Sequence, residues 1–217
     1  SLAALQAKSL LDKKIISEIE MAEVVKKSRH NAKNNPNSQL SGDFSIQDLL
    51  REPIFVSPLR KHDCAPITDG ASAVIIASGK KALALCSNPA FITGIDHRIE
   101  TGQLGVRDLT LSPSIRKSAE VLELDKKTFD AAELHAPFSH QELLLTKELE
   151  LSDQVVINQS GGTLAGNIMM AAGLDRIGHI FNMIKEKKIN SGLAHATSGP
   201  CLQQNMLVSI ESKQWLN

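Results

Sequence analysis

One segment limits what this chain can fold into more than any other: Val155-Val156-Ile157-Asn158-Gln159-Ser160-Gly161-Gly162-Thr163-Leu164-Ala165-Gly166-Asn167-Ile168 and the residues that follow it. Val155, Val156 and Ile157 are β-branched and predict a buried strand. Gly161 and Gly162 allow backbone angles that other residues avoid, so the chain can turn sharply there and approach a ligand closely. Beyond the turn, Ile168, Ala171, Ala172, Ile177, Ile180, Phe181 and Ile184 recur every three or four residues, the spacing of one buried helix face. Strand, glycine turn and buried helix in this order place the turn where α/β proteins keep their chemistry. Two readings follow, a plain structural connection or a ligand-facing turn, and the remaining sequence weighs between them.

Taken in order, Leu2, Leu5, Leu10 and Leu11 predict a helix already under way at residue 1, as expected of a C-terminal piece of something longer or one member of a split pair. Ser17 followed by Glu20 is a capping box that opens a second helix through Met21, Val24 and Val25, and Asn34-Asn35-Pro36-Asn37 stops it. Ser45 caps a short helix, and Pro53 and Pro58 frame an extended link. Thr68-Asp69-Gly70 should then turn into a buried strand over Ala71–Ser78, with a helical stretch at Lys80–Leu85.

From Ala90 the expected order is regular. It runs strand 90–96, helix from Ser112-Pro113, strand 131–135, helix 139–148, the opening strand and its helix, and strands 192–197 and 205–211. This βαβαβαββ order predicts an α/β fold, a mostly parallel sheet with an antiparallel end, covered by helices. Residues before Ala90 offer only one good strand, so they should need a partner sheet to pack on.

Lys+Arg and Asp+Glu both number 24, so no basic face for nucleic acid or polybasic membrane patch is expected. No apolar run reaches the ~18–20 residues of a membrane span, and the first residues lack a signal-peptide layout. The three cysteines, Cys64, Cys86 and Cys201, are odd in number and far apart, which suits a reducing cytoplasm and argues against a disulfide frame or a zinc site. With no Tyr and one Trp, stacking platforms for single-stranded nucleic acid are not expected.

Three places should converge at the carboxyl ends of the strands, where open α/β sheets bind ligands. His135 ends one strand beside a helix start, where an imidazole can donate to an oxyanion or shuttle a proton, or simply satisfy a loop carbonyl. Asn158, Ser160 and Asn167 surround the paired glycines Gly161 and Gly162; Asn167 can donate a hydrogen bond but cannot act as a general base. The third place is His195-Ala196-Thr197-Ser198-Gly199-Pro200-Cys201. Cys201 there is either a small buried hydrophobe or, if exposed beside His135, a thiolate that handles a proton. His97, Arg98 and His140 are weaker candidates, and His179 reads as structural.

In this order, the three loops resemble the C-terminal half of thiolases, in particular those linked to sterol carrier proteins and bacterial thiolase-like lipid-transfer proteins. Asp69-Gly70-Ala71-Ser72-Ala73 is similar to the family's D-G-A-A-A strand entry, and Asn158-Gln159-Ser160-Gly161-Gly162 meets its N-x-S-G-G pattern. His135-Ala136-Pro137-Phe138 stands where H-D-C-F or N-E-A-F would be, and Gly166-Asn167-Ile168 where G-H-P would be. The resemblance implies a thiolase-like fold, with residues 1–88 ending its N-terminal domain and residues 89–217 forming its C-terminal domain.

It also implies acyltransferase chemistry on a coenzyme A thioester substrate, no bound cofactor or metal, and a role in lipid metabolism. His135, Asn167 and Cys201 become the catalytic set, with Asn158, Ser160, Gly161, Gly162 and Gly199 as active-site loops. An acyl-carrying cysteine would lie before residue 1, in a missing N-terminal half or partner chain, and the complete protein is expected to be a homodimer with a possible accessory protein. Departures from the pattern matter: Asn167 replaces the activating histidine, and Gly199-Pro200-Cys201 places the cysteine two positions after its usual place in C-x-G. A retro-aldolase of sterol or fatty acyl-CoA side chains, working with a partner protein, and a non-catalytic acyl-CoA-binding subunit are the alternatives.

Overall fold

The structure, a computed structural model, describes residues 1–212. It opens with α1 (Leu2–Asp12), α2 (Glu18–Asn31) and α3 (Ile46–Arg51). The expected capping box at the start of α2 is present, Ser17 and Glu20 satisfying each other's backbone N–H groups. A small hairpin of β1 (Ile54–Val56) and β2 (Leu59–Arg60) follows, then the helix α4 (Gly79–Leu85).

The rest builds one sheet and its cover: β3 (Phe91–Ile99), α5 (Pro113–Val121), β4 (Ala131–Glu133), α6 (Ser139–Glu148), β5 (Val156–Ile157), α7 (Gly162–Ala165), α8 (Ala172–Lys185), β6 (Ser191–Ser198) and β7 (Gln204–Glu211). The strands lie in the order β3-β7-β6-β4-β5. β4 pairs in parallel with β5 and β6, while β7 runs antiparallel to both β6 and β3. The βαβαβαββ order and the mixed sheet are therefore as expected. The antiparallel pairing falls at one end of the sheet, as expected. β7 inserts between β6 and β3, so four strands share one direction around a single reversed one.

Alternation along the strands separates two cores. Leu193 and Leu207 face a cluster with Leu10 of α1, Ile115 of α5 and Leu144 and Leu145 of α6. Ala194, Val208 and Ile210 face Ile180 and Ile184 of α8. A third cluster joins Ala22 and Val25 of α2 to Leu49 and Leu164. The helices before residue 52 thus pack on elements of the same chain, whereas Ile67, Ile75, Ile76 and Leu85, also before Ala90, stay exposed.

Three local expectations fail for identifiable reasons. No strand forms over 71–78: Ile75 is 97% exposed and Ile76 79%. Among the described residues no strand pairs with this run, and an unpaired strand leaves its backbone donors and acceptors to water. The strand at Val155–Ile157 is only two residues long and sits at the sheet's edge, with Val156 exposed rather than buried.

The helix beyond the glycines is also broken. α7 ends at Ala165 because its carbonyl is taken by the backbone N–H groups of Gln39 and Leu40 at 3.1 and 2.9 Å. Asn167 is held instead by Thr68, whose Oγ1 accepts from the Asn167 N–H at 2.9 Å and whose N–H donates to the Asn167 carbonyl at 3.0 Å. Helix resumes only at Ala172, after a single 3-10 turn. Among the described residues no helix is long and apolar enough to cross a membrane.

Candidate functional site

A cavity of about 690 Å³ opens at the carboxyl ends of β4 and β6, lined by His135, Asn167, Thr197, Gly199 and Cys201 together with Cys64, Phe138, Gln141 and the exposed Met169 and Met170. Three widely separated stretches therefore meet, as the topology requires of strand ends in one α/β sheet. A second groove of about 400 Å³ lies beside β5 and contains none of the candidate residues.

His135 is 7% exposed. The Thr197 backbone N–H donates to its Nδ1 at 3.3 Å. A ring nitrogen that accepts from an amide carries a lone pair, so in the neutral imidazole the proton is assigned to Nε2. Burial, reinforced by His195 and Arg176, pushes the His135 pKa down to about 3. At neutral pH the ring is a neutral Nε2–H donor. It suits an oxyanion better than a proton relay that must ionise.

Asn167 is also 7% exposed. Its Oδ1 accepts from the Met169 N–H at 3.3 Å, and among the described residues its Nδ2 meets only the thioether sulfur of Met169, at 3.7 Å. The Nδ2 donor therefore retains capacity for a stronger acceptor. Cys201 is buried, its thiol donating to the Leu2 carbonyl at 3.4 Å. Burial raises its pKa, against the opposing pull of Arg107. The condition for a reactive thiolate, exposure beside His135, is not met. The group is a protonated thiol at the cavity wall.

Asn158, Ser160, Gly161 and Gly162 do not line this cavity. They build the frame behind it. Asn158 Oδ1 accepts from the Leu134 N–H at 2.7 Å, and its Nδ2 donates to Glu142 at 2.6 Å, joining the end of β4 to α6. Gly161 and Gly162 have φ of +94° and +64°, the left-handed region where the absence of Cβ matters. A Cβ on Gly161 would stand 2.8 Å from the Cβ atoms of Ala32 and Ala165. This closeness lets α2 grip the turn: Ser28 Oγ donates to the Gly161 carbonyl at 2.5 Å, and Asn31 and Asn35 donate to the carbonyls of Asn158 and Ser160.

Beneath the turn lies a buried network that the spacing did not single out. The Ser160 N–H and Oγ donate to Glu133 at 2.9 and 2.6 Å, and Arg176 Nη1 donates to Glu133 Oε2 at 2.9 Å and to Ser160 Oγ at 3.0 Å. Glu133 and Arg176 are almost wholly buried. The signal was present: Glu133 is a carboxylate inside an apolar strand, and Arg176 interrupts the stripe Ala172–Ile180–Ile184. Each is an anomaly alone, and together they are a pair. Among the described residues no group of His, Cys, Asp and Glu is arranged to hold a metal ion.

The fold and cavity define an α/β protein with a cavity at the carboxyl ends of its strands. No family model matches the chain. It is 25% identical over 180 residues to an acetyl-CoA acetyltransferase of Methanothermobacter thermautotrophicus, an alignment covering 72% of this chain and 46% of that protein. It is 24% identical over 217 residues to the benzoylsuccinyl-CoA thiolase subunit BbsB of Thauera aromatica, covering 86% and 56%.

Among solved structures, an acetyl-CoA acetyltransferase of Bacillus anthracis superposes with a TM-score of 0.79 at 18% identity, over 97% of this chain and 60% of the other. An Ltp2–ChsH2(DUF35) aldolase superposes with a TM-score of 0.80 at 18% identity, over 98% and 63%. The chain spans about half the length of the curated relatives it matches. In sequence and in fold it is similar to part of the thiolases.

Proposed function

We propose that the cavity is the C-terminal wall of an acyl-CoA C-acyltransferase site, handling coenzyme A thioesters in carbon–carbon bond formation or thiolytic cleavage. The supporting observation is the His135 ring, neutral and with Nε2 as its assigned donor. With Asn167 Nδ2 it supplies two uncharged donors for the oxygen of a thioester enolate, which develops negative charge as the carbon–carbon bond forms or breaks. The protonated Cys201 thiol is in the state that gives a proton to an enolate carbon, which favours the cleaving direction. Residues 1–88 are read as the end of an N-terminal domain and 89–217 as the C-terminal domain. The exposed Ile75 and Ile76 support a missing N-terminal half or partner chain covering them. A homodimer is the expected form of the complete protein, with a cytoplasmic location.

A second reading is favoured by one observation. Asn167 stands in the turn where the family pattern has an activating histidine, and an amide cannot deprotonate a nucleophile. A retro-aldol cleavage of a β-hydroxyacyl-CoA forms the same thioester enolate without an acyl-cysteine. The likeness to an Ltp2–ChsH2(DUF35) aldolase fits this, and fits an accessory protein. The full-length protein should be assayed for thiolysis of a 3-ketoacyl-CoA by free CoA and for cleavage of a 3-hydroxyacyl-CoA to an aldehyde or ketone plus an acyl-CoA. Thiolysis supports the first reading and aldol cleavage the second. Tight binding of CoA esters with neither turnover leaves a non-catalytic acyl-CoA-binding subunit.

A further inference from the structure

The turn that brings Cys201 to the cavity has an improbable backbone. Gly199, Cys201 and Leu202 have φ of +73°, +54° and +56°. Left-handed backbone disfavours any residue with a Cβ, and it persists only where the surroundings over-determine it. Here four consecutive carbonyls are held from outside the turn. Those of Pro200 and Cys201 accept from Nη1 and Nη2 of Arg107 at 3.1 and 2.7 Å. That of Leu202 accepts from Asn205 Nδ2 at 2.8 Å, and that of Gln203 from the Glu100 N–H at 2.8 Å.

Arg107 is itself fixed, its Nε donating to Glu100 Oε2 at 3.0 Å. The other oxygen, Glu100 Oε1, accepts from Ser114 Oγ at 2.6 Å and from the Ser114 N–H at 3.2 Å. The Arg107 and Glu100 side chains are 4% and 11% exposed. A planar guanidinium with Nε on a carboxylate and both Nη atoms on successive carbonyls has one orientation, which a lysine's point charge cannot reproduce.

We propose that Arg107, anchored by Glu100, is a positioning residue that locks the 199–202 turn and so fixes Cys201 at the cavity wall with His135. Its effect on turnover rests on the reading of the cavity as a CoA-thioester site; its effect on the Cys201 thiol does not. The test uses the full-length protein with Arg107→Ala, Arg107→Lys and Glu100→Gln. Alkylation of Cys201 and Cys64 by iodoacetamide is followed by peptide mass spectrometry, beside steady-state kinetics.

In Arg107→Ala the ratio of Cys201 to Cys64 labelling should rise several-fold. The turnover number should fall about 10- to 100-fold, as expected when a reacting group is displaced by about 1 Å, with KM little changed. Arg107→Lys should restore only part of both. A purely structural role would loosen both cysteines together. An unchanged labelling ratio overturns the proposal. If Arg107→Ala does not fold, Glu100→Gln, which keeps shape but weakens the anchor, decides by the same ratio. A wild-type protein that turns over no CoA thioester sinks the functional reading alone, and the labelling ratio still decides on Arg107.

Discussion

The Thr197 backbone N–H points at Nδ1 of His135 across 3.3 Å, and this contact between β6 and the end of β4 determines which ring nitrogen carries the proton. A strand-to-loop hydrogen bond thereby sets the chemistry of a side chain 62 positions earlier in the sequence. The tautomer is held by backbone, so no side-chain substitution at Thr197 need disturb it.

Removal of the imidazole should therefore remove the function and spare the fold. His135→Ala should lower turnover of any CoA thioester by about 10²–10³, the cost typical of deleting one oxyanion donor. Far-UV circular dichroism and the urea midpoint should change little, because the one side-chain hydrogen bond of His135 among the described residues is that from the Thr197 N–H. Wild-type turnover in His135→Ala would take His135 out of the site.

Three of the buried histidines, His135, His140 and His195, make a prediction about acid. Burial pushes His135 and His140 down to about 3, and pushes His195 to about 4 although Asn205 opposes the shift. Unfolded, each titrates near 6.5. Below that value the unfolded chain binds more protons than the folded one, so stability rises with pH across the window. The stabilisation is complete above about pH 6.5 and declines as pH falls toward 4. Carboxylates contribute mainly below this window, since they titrate near 4 when unfolded. Urea midpoints at pH 7 and pH 5 measure the effect, and equal midpoints would contradict neutral burial of these rings. His140→Gln should flatten part of the slope.

Much of this architecture was legible in the sequence because it depends on local chemistry. Ser17 with Glu20, the apolar spacing of α8 and the strand order from Ala90 each carry their own signal, and the paired positive φ of Gly161 and Gly162 follows from the glycines themselves. What was not legible depends on distant partners. Gly166 announces the stop after Ala165, but the Gln39 and Leu40 N–H groups that take the Ala165 carbonyl are far away in sequence. Ala71–Ser78 has strand composition but no neighbour among the described residues, and pairing is not a property of the segment alone. In the site, His135 and Asn167 were readable from their turns. The division of labour was not: the N-x-S-G-G turn braces the cavity while Asn167, five residues beyond Gly162, lines it.

The bracing turn should be intolerant of a single methyl group. In Gly161→Ala the new Cβ would have to share space with Ala32 and Ala165 at φ of +94°. A left-handed non-glycine residue costs of order 1–3 kcal/mol before the clash is counted. The urea midpoint should drop accordingly, and a stability within about 0.5 kcal/mol of wild type, the range of an ordinary surface change, would mean α2 does not grip the turn as described.

The Glu133–Arg176 pair should separate support from chemistry. Both groups are buried and Arg176 Nη2 also pairs with Asp175, so removing Arg176 leaves the Glu133 carboxylate uncompensated at a cost of about 3–5 kcal/mol, whereas removing Glu133 leaves Arg176 with Asp175 and costs less. Glu133→Gln keeps the shape but weakens the bond from Arg176 and the two donors of Ser160, and Arg176→Met strands the carboxylate. Arg176→Met should lose more stability than the double variant Glu133→Gln/Arg176→Met, in which the buried carboxylate at 133 is gone as well. Denaturation of the four proteins forms a double-mutant cycle. Purely additive losses would show that the two charges do not depend on each other, and that the Ser160 turn is held by α2 alone.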